Sequence, residues 1–390
     1  MKLALVTETY PPEINGVAMT LSHLVEGLSE RGHDVTVVRP RQNDGDQPRT
    51  DGLYHELLCP GFPIPGYNTM RLGLPVRRLL LRAWSSARPD IVHIATEGPL
   101  GYAALLAARK LGLPISSSFH TNFHSYSQHY GFAFLKRPVL AYLRHFHNRT
   151  QITLSPTVEL NTELTADGFK NMRLLSRGVN TKTFSPKRRD PSLRASWGVG
   201  PFDLAIVHVS RLAAEKNYPL LIESFEAIRS QHPTTKFIIT SDGPLRKKLE
   251  RRAPWIHFTG ILPREDLARH YASADLFLYP SLTETFGNVV IEAMASGLPV
   301  VAFNYAAAAH YIRHGETGWH VPLGDRNAFL AAAMHLADDA GLRLRTGPAA
   351  RAAAEGIPWE RVIDGFIADL LKIDNQSTPV PITAPAIPQP

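Results

Sequence analysis

The sequence predicts an α/β protein built as two doubly wound domains, one after the other, facing across a cleft. Three observations carry this. The chain has 390 residues, which suits two domains of roughly 100–200 residues each. Short apolar, β-rich runs alternate with segments of helical period, the signature of parallel sheets covered by helices on both faces. A polar, basic stretch broken by Pro and Gly, residues 178–202 (GVNTKTFSPKRRDPSLRASWGVGPF), divides that alternation into two series.

In the first series the strands are Lys2–Thr7, Asp34–Arg39, Ile91–Ala95, Ile115–Phe119 and Ile152–Ser155. Val17, Leu21, Leu24, Val25 and Leu28 recur at helical spacing over Gly16–Arg31, and Gly32 sits where a glycine ends a helix. Further helices are expected at Leu100–Leu111, Leu135–His147 and Thr157–Asp167. In the second series the strands are Leu204–Val209, Phe237–Ser241, His257–Thr259, Leu276–Tyr279 and Val300–Phe303. Its helices include Pro219–Gln231, Pro263–Ala272, Asn288–Ser296 and Arg326–Ala337. The expected organisation is a first domain over 1–177, a link over 178–202, a second domain over 203–357 and a final helix over 358–373. The Pro-rich, uncharged end 374–390 cannot bury a core and reads as disordered.

Composition narrows the function classes. Hydrophobic residues make up 44% and charged residues 20%, so the chain is globular rather than fibrous or disordered. No apolar run is long enough to span a bilayer, and the opening MKLALVTE is too short for a signal peptide. Cys59 is the only cysteine, which excludes an intrachain disulfide and a thiolate zinc site and suits a reducing cytoplasm. The net charge of +7 sits in the first half: residues 1–190 hold 23 Lys/Arg and 15 Asp/Glu. Nucleic acid, anionic lipid and a phosphorylated substrate are the partners that such a bias suggests.

Ser281–Ala302 (SLTETFGNVVIEAMASGLPVVA) is the most informative stretch. A strand ends at Pro280, a loop carries Glu284, and Gly287-Asn288 opens a helix that Gly297 closes. Unpaired N–H groups and the dipole make such a helix start an anion site. Glu284 and Glu292 bracket it, an arrangement suited to the hydroxyls of a nucleotide diphosphate sugar; the plainer alternative is a first-turn acid favoured by the dipole for Glu284 and a solvated helix residue for Glu292. After the strand Leu204–Val209, Arg211 offers a planar fork and Lys216 a mobile charge for a diphosphate. The bland alternative is an exposed loop with a local Glu215–Lys216 pair. Gly16, behind Glu8-Thr9-Tyr10-Pro11-Pro12-Glu13-Ile14-Asn15, permits close approach of an anion, with Asn15 as a helix cap in the plainer reading; GxGxxG is absent. His120, in Phe119-His120-Thr121-Asn122, stands at a strand's carboxyl end and suits a sugar hydroxyl or a proton transfer.

These residues resemble the retaining glycosyltransferases of family 4, also called glycosyl transferases group 1, whose GT-B fold sets two Rossmann-like domains across a cleft. Glu284 and Glu292 match that family's E-x7-E pattern, within Pro280-Ser281 and Thr285-Phe286-Gly287 on one side and Glu292-Ala293-Met294-Ala295-Ser296-Gly297-Leu298-Pro299 on the other. Arg211 and Lys216 match its basic pair, with Ser210 where a Gly is usual. Asp242-Gly243-Pro244, Phe258-Thr259-Gly260, Gly315-Glu316-Thr317-Gly318 and Trp359-Glu360 fall in the family's order, so the resemblance spans roughly residues 2–372. Pro11–Val17 is similar to bacterial GDP-mannose-dependent α-mannosyltransferases and diacylglycerol glycosyltransferases.

The resemblance implies a donor site on the second domain and an acceptor site on the first, with the last helix crossing back. It implies Glu284 on the transferred sugar, Glu292 on ribose, Arg211 and Lys216 on the diphosphate, Gly16 approaching it, and His120 beside the donor sugar. Thr285, Phe286 and Gly287 would supply backbone N–H groups, ahead of Asn288. No cofactor or metal is expected, since two cations and a helix dipole neutralise the leaving group. The expected reaction is retaining transfer of a hexose, mannose first, to a lipid or glycolipid. UDP-glucose or UDP-glucuronate with diacylglycerol is the next reading. A sugar-nucleotide epimerase, a silent sugar-nucleotide binder and a nucleic-acid binding protein are the alternatives, the last without any base-reading module. Residues 98–158 hold no Asp or Glu, and the basic–apolar stretches Arg71–Arg88 and Phe132–Arg144 suit an anionic membrane surface at the inner face of the plasma membrane.

Overall fold

The structure is a computed structural model that describes every residue except 14, 65–66, 121–135, 201 and 377–390. Thr121, Asn122, the Phe132–Leu135 part of the basic–apolar stretch and most of the Pro-rich end therefore lie outside the described residues. The chain divides into two compact units. The first holds Met1–His120, Leu140–Leu175 and the last helix from Ile363; the second holds residues 136–139 and Ser176–Val362.

The first unit is built on an eight-stranded sheet. Its strands are β1 (Lys2–Val6), β2 (Asp34–Pro40), β3 (Thr50–Asp51), β4 (Tyr54–Cys59), β7 (Ile91–Ile94), β8 (Ile115–Ser118), β9 (Ile152–Ser155) and β10 (Met172–Leu174). Their order is β10-β9-β8-β7-β1-β2-β4-β3, parallel except for the β3–β4 pair. A separate antiparallel ribbon joins β5 (Gly61–Ile64) to β6 (Tyr67–Gly73). The helix α1 (Gly16–Glu30) buries Leu21, Leu24, Val25 and Leu28, four of the five residues that gave its period, while Val17 stays partly exposed. The helix Trp359–Gln376 packs into this unit through Ile363, Phe366, Leu370 and Ile373, with Ile363 seated over Gly27.

The second unit is an all-parallel six-stranded sheet. Its strands are β11 (Ala205–Val209), β12 (Lys236–Thr240), β13 (His257–Gly260), β14 (Leu276–Tyr279), β15 (Val300–Phe303) and β16 (Trp319–Val321), in the order β13-β12-β11-β14-β15-β16. Both faces are covered, by one core around Phe277, Met294 and Val300 and another around Phe225, Phe237 and Phe329. Val179, Phe184, Trp197 and Val199, from the stretch expected as a link, belong to the first of these cores.

The alternation held where strands are short and uniformly apolar. The ribbon β5–β6 and strand β4 were not anticipated, because Pro60, Gly61 and Pro63 punctuate that region as a loop would. The helix Ala340–Glu355 was also missed, since Gly347 and Pro348 sit inside it.

Candidate active site

In a doubly wound sheet, ligands meet the carboxyl ends of the strands where the order reverses. In the second unit that point lies between β11 and β14, neighbours in the sheet but far apart in sequence. The loop after β11 carries Arg211 and Lys216, and the loop after β14 carries Glu284. Leu282 N–H donates to the Glu215 carbonyl at 3.0 Å and ties the two loops together.

Lys216 and Glu284, 68 positions apart, form a direct ion pair with only 10% and 15% of their side chains exposed. The same Glu284 oxygen, Oε1, accepts from the Tyr279 hydroxyl and from Ser281 Oγ, the latter at 2.7 Å. Lys216 Nζ lies 3.5 Å from both of those hydroxyl oxygens. Arg211 donates to Glu215 Oε1 at 2.6 Å, and Glu215 is fully buried. The local Glu215–Lys216 pair of the bland reading is thus replaced by two other pairs, one for each cation.

The helix Asn288–Ala295 starts beside Glu284. Its N-cap is Gly287 at φ +92°, a left-handed conformation that side chains resist. No side chain caps this helix, so its first N–H groups are open to an outside acceptor. Phe286 turns its ring into the core, leaving its backbone as the group at hand, and Asn288 Oδ1 is buried without a partner among the described residues. Thr285 stays partly exposed. One turn further on, Glu292 accepts from the Tyr271 hydroxyl at 3.2 Å. Burial pushes its carboxyl up to about 7, against the opposing pull of Arg264 and of that hydroxyl.

Two landmarks hold the Arg211 loop. A Cβ on Gly243 would lie 2.6 Å from the Leu212 carbonyl oxygen and 2.7 Å from its nitrogen, so only glycine fits there. Ser210, where the family usually has glycine, is accommodated because its hydroxyl is bound by His208 Nε2 at 2.7 Å and by Tyr218 at 3.1 Å.

Gly16 and His120 belong to the first unit, Gly16 as the first residue of α1 after the β1 loop and His120 just past the carboxyl end of β8. Gly16 is exposed at the start of α1, where Asn15 Oδ1 accepts from Val17 N–H at 3.1 Å and Ala18 N–H at 2.9 Å, so Asn15 is indeed a cap. His120 is 5% exposed. Glu8 caps another helix, α3 (Pro99–Lys110), by accepting from Leu100 N–H at 2.9 Å. Burial raises the Glu8 carboxyl to about 7. A groove of about 720 Å³ opens at the opposite, amino ends of β8 and β9, lined by Arg109, Asn148, Arg149 and Gln151. Arg149 there is engaged with the His145 carbonyl at the end of its helix.

Sequence reasoning missed Tyr279 and Tyr271, and it gave Ser281 no role and Glu215 the wrong partner; these are the side chains that hold the expected ones. The one available signal was a tyrosine ending the otherwise apolar strand LFLY just before Pro280. Among the described residues, no group of three or more His, Cys, Asp or Glu is placed to hold a metal.

Two Rossmann-like units, the second carrying paired cations and carboxylates beside an uncapped helix start, define a sugar-transferring protein of the GT-B class. Residues 203–339 match glycosyl transferases group 1, and residues 14–183 match glycosyltransferase family 4. The chain belongs to family 4 and is a glycosyltransferase. It is 33% identical to a GDP-mannose-dependent alpha-mannosyltransferase of Mycobacterium tuberculosis, over 97% of this chain and 98% of that one. It is 28% identical to the alpha-monoglucosyldiacylglycerol synthase of Acholeplasma laidlawii, covering 82% of this chain and 84% of that one. In fold it is similar to sucrose-phosphate synthase of Thermosynechococcus elongatus, with a TM-score of 0.78 and 19% identity, over 97% of this chain and all of that one.

Proposed function

We propose that the chain moves a hexose, mannose first, from a nucleotide diphosphate sugar to a lipid or glycolipid, with retention at the anomeric carbon and without a metal. The observation that carries this is the Lys216–Glu284 pair at the switch point, beside the uncapped helix start at Gly287. A diphosphate arriving there offers Lys216 a new anion, and the sugar offers Glu284 hydroxyl donors. Arg211, also able to exchange its carboxylate partner for phosphate, completes the neutralisation of the leaving group. Glu292 is assigned to ribose, and Thr285, Phe286, Gly287 and Asn288 to the phosphate through the loop and helix start. Gly16 and His120 are assigned to the same reaction from the first unit by resemblance.

In the proposed step the bond between the anomeric carbon and the phosphate oxygen breaks as the acceptor oxygen attacks from the same face. The departing phosphate takes the acceptor proton, and nucleoside diphosphate leaves. The relatives' names support mannose from GDP-mannose as the first reading, and glucose with diacylglycerol as the second; a UDP-sugar donor, glucose or glucuronate, belongs to that second reading as a proposal. A donor panel with a membrane lipid extract, followed by nucleoside diphosphate release with and without EDTA, tests the reading. Loss of turnover in EDTA would refute metal independence. Product configuration by NMR tests retention.

The positive charge of the first half is assigned to a cytoplasmic membrane surface rather than to nucleic acid. In α2 (Arg77–Ser86), Leu80 and Trp84 are buried while Arg77, Arg78 and Arg82 are exposed. Phe62, Leu74 and Leu79 are each about two-fifths exposed close by in sequence. No described helix is long and apolar enough to cross a membrane. Each arginine near an anionic surface contributes about 1 kcal/mol. In liposome flotation at low salt, reversing all three arginines to Glu should abolish the preference for anionic vesicles. Equal partitioning of the wild type onto neutral and anionic vesicles would refute the assignment.

A further inference from the structure

The geometry points to Tyr279, seconded by Ser281, as the positioning residue that holds Glu284 in its working orientation while Lys216 is engaged with phosphate. This inference rests on the donor-site reading above and deepens it. It starts from a conflict over one cation. Lys216 Nζ is bound to Glu284 in the donor-free chain, yet the same ammonium is assigned to the diphosphate. When phosphate takes Lys216, Glu284 loses its counter-charge and one of three donors. Its terminal torsion is intrinsically broad and two-fold, so the remaining contacts decide where the carboxylate points.

Those contacts are Tyr279 and Ser281, and both are rooted in the end of β14. Tyr279 is 4% exposed. Its ring stacks on Phe277 at 5.7 Å and lies 5.8 Å from the His208 ring. His208 is itself fully buried and fixed by the Leu278 carbonyl at 2.8 Å and by Ser210. The phenol therefore cannot follow a moving ligand. Burial and the nearby Glu284 charge hold its acidity well below that of a free tyrosine, so it remains a donor. Tyr279 and Ser281 both donate to Oε1, and Oε2 has no partner among the described residues. Oε2 is then the oxygen left for a sugar hydroxyl, and the two hydroxyls fix its position. Positioning of this kind matters because a misplacement near 1 Å costs about 100-fold.

Tyr279→Phe removes one oxygen and keeps the ring. It should lower kcat by at least ~10-fold, about 1.4 kcal/mol in the barrier. Donor KM and nucleoside diphosphate Kd should stay within about twofold, because the phosphate contacts are untouched. Ser281→Ala should give a smaller loss of the same kind, and Ser281→Thr, which restores a hydroxyl, should recover it. Glu284→Gln is measured alongside. If Glu284→Gln is impaired while Tyr279→Phe turns over within twofold of wild type, the positioning role is overturned and the donor-site reading stands. If Tyr279→Phe weakens nucleoside diphosphate binding in step with kcat, Tyr279 serves the phosphate or the fold, and the inference fails. If Glu284→Gln itself is unimpaired, the donor-site reading falls and the inference with it.

Discussion

Replacing Glu284 with Gln tests the centre of the site, and the structure sets the size of the effect. The carboxylate accepts three donors on Oε1, one of them from a cation, in surroundings that leave 15% of the side chain exposed. The amide oxygen of Gln can keep the Tyr279 and Ser281 donors, so the local structure survives. What disappears is charge. A hydrogen bond to an ionised group contributes about 1.5–3 kcal/mol, against about 0.5–1.5 kcal/mol between neutral groups. Losing roughly 1.4 kcal/mol from an interaction with the reacting sugar lowers turnover about tenfold. Lys216 is meanwhile released from its pair, so nucleoside diphosphate should bind as tightly as in the wild type or more tightly. Nucleoside diphosphate release gives the turnover, and calorimetric titration of the nucleoside diphosphate gives the affinity. Turnover within twofold of wild type, or affinity falling in proportion to turnover, would refute the assignment of Lys216 to phosphate and Glu284 to sugar.

Two further predictions follow from packing and from burial. Gly243→Ala forces the Leu212 backbone away from contacts of 2.6 and 2.7 Å and displaces the Arg211 loop. Nucleoside diphosphate Kd should rise about tenfold, near 1.4 kcal/mol, and an unchanged Kd would show that the loop does not reach the phosphate. Glu8 titrates near 7 in the folded chain against an ordinary 4.5, because of burial. The folded state therefore binds a proton that the unfolded chain has released, and its stability falls as pH rises from about 4.5 to about 7, by at most ~1.4 kcal/mol per pH unit. Denaturant melts of Glu8→Gln should show a flatter pH dependence than the wild type over that window; parallel curves would refute the shift.

Much of the second unit was legible because its strands are short and apolar, and the site strand Leu276–Tyr279 is closed by Pro280. The run from Leu276 through Gly287 to Gly297 spells strand, loop, helix and stop within one contiguous segment. The pairings inside the site were not legible. Lys216 meets Glu284 only because β11 and β14 are neighbours in the sheet, a fact of topology that no local pattern encodes. Glu215 illustrates the limit in the other direction. Its sequence neighbour Lys216 is the obvious partner, but it binds Arg211 four positions back, where the short helical turn Ala214–Lys216 brings it round. In the first unit, β4 to β6 were hidden by prolines and glycines that punctuate a twisted ribbon as readily as a loop.

The two internal ion pairs bear on what the proposed donor site would admit. With Arg211 and Lys216 each already balanced by a carboxylate, the proposed donor site is expected to exert little pull on passing anions such as inorganic phosphate. An anion that captured Lys216 without offering Glu284 anything in exchange would strand a desolvated negative charge, at a cost that cancels much of its own attraction. A molecule joining a diphosphate to a hydroxyl-rich ring replaces both halves of the broken pair at once. On the donor-site reading proposed above, selection of an activated sugar over its fragments is built into the unliganded state.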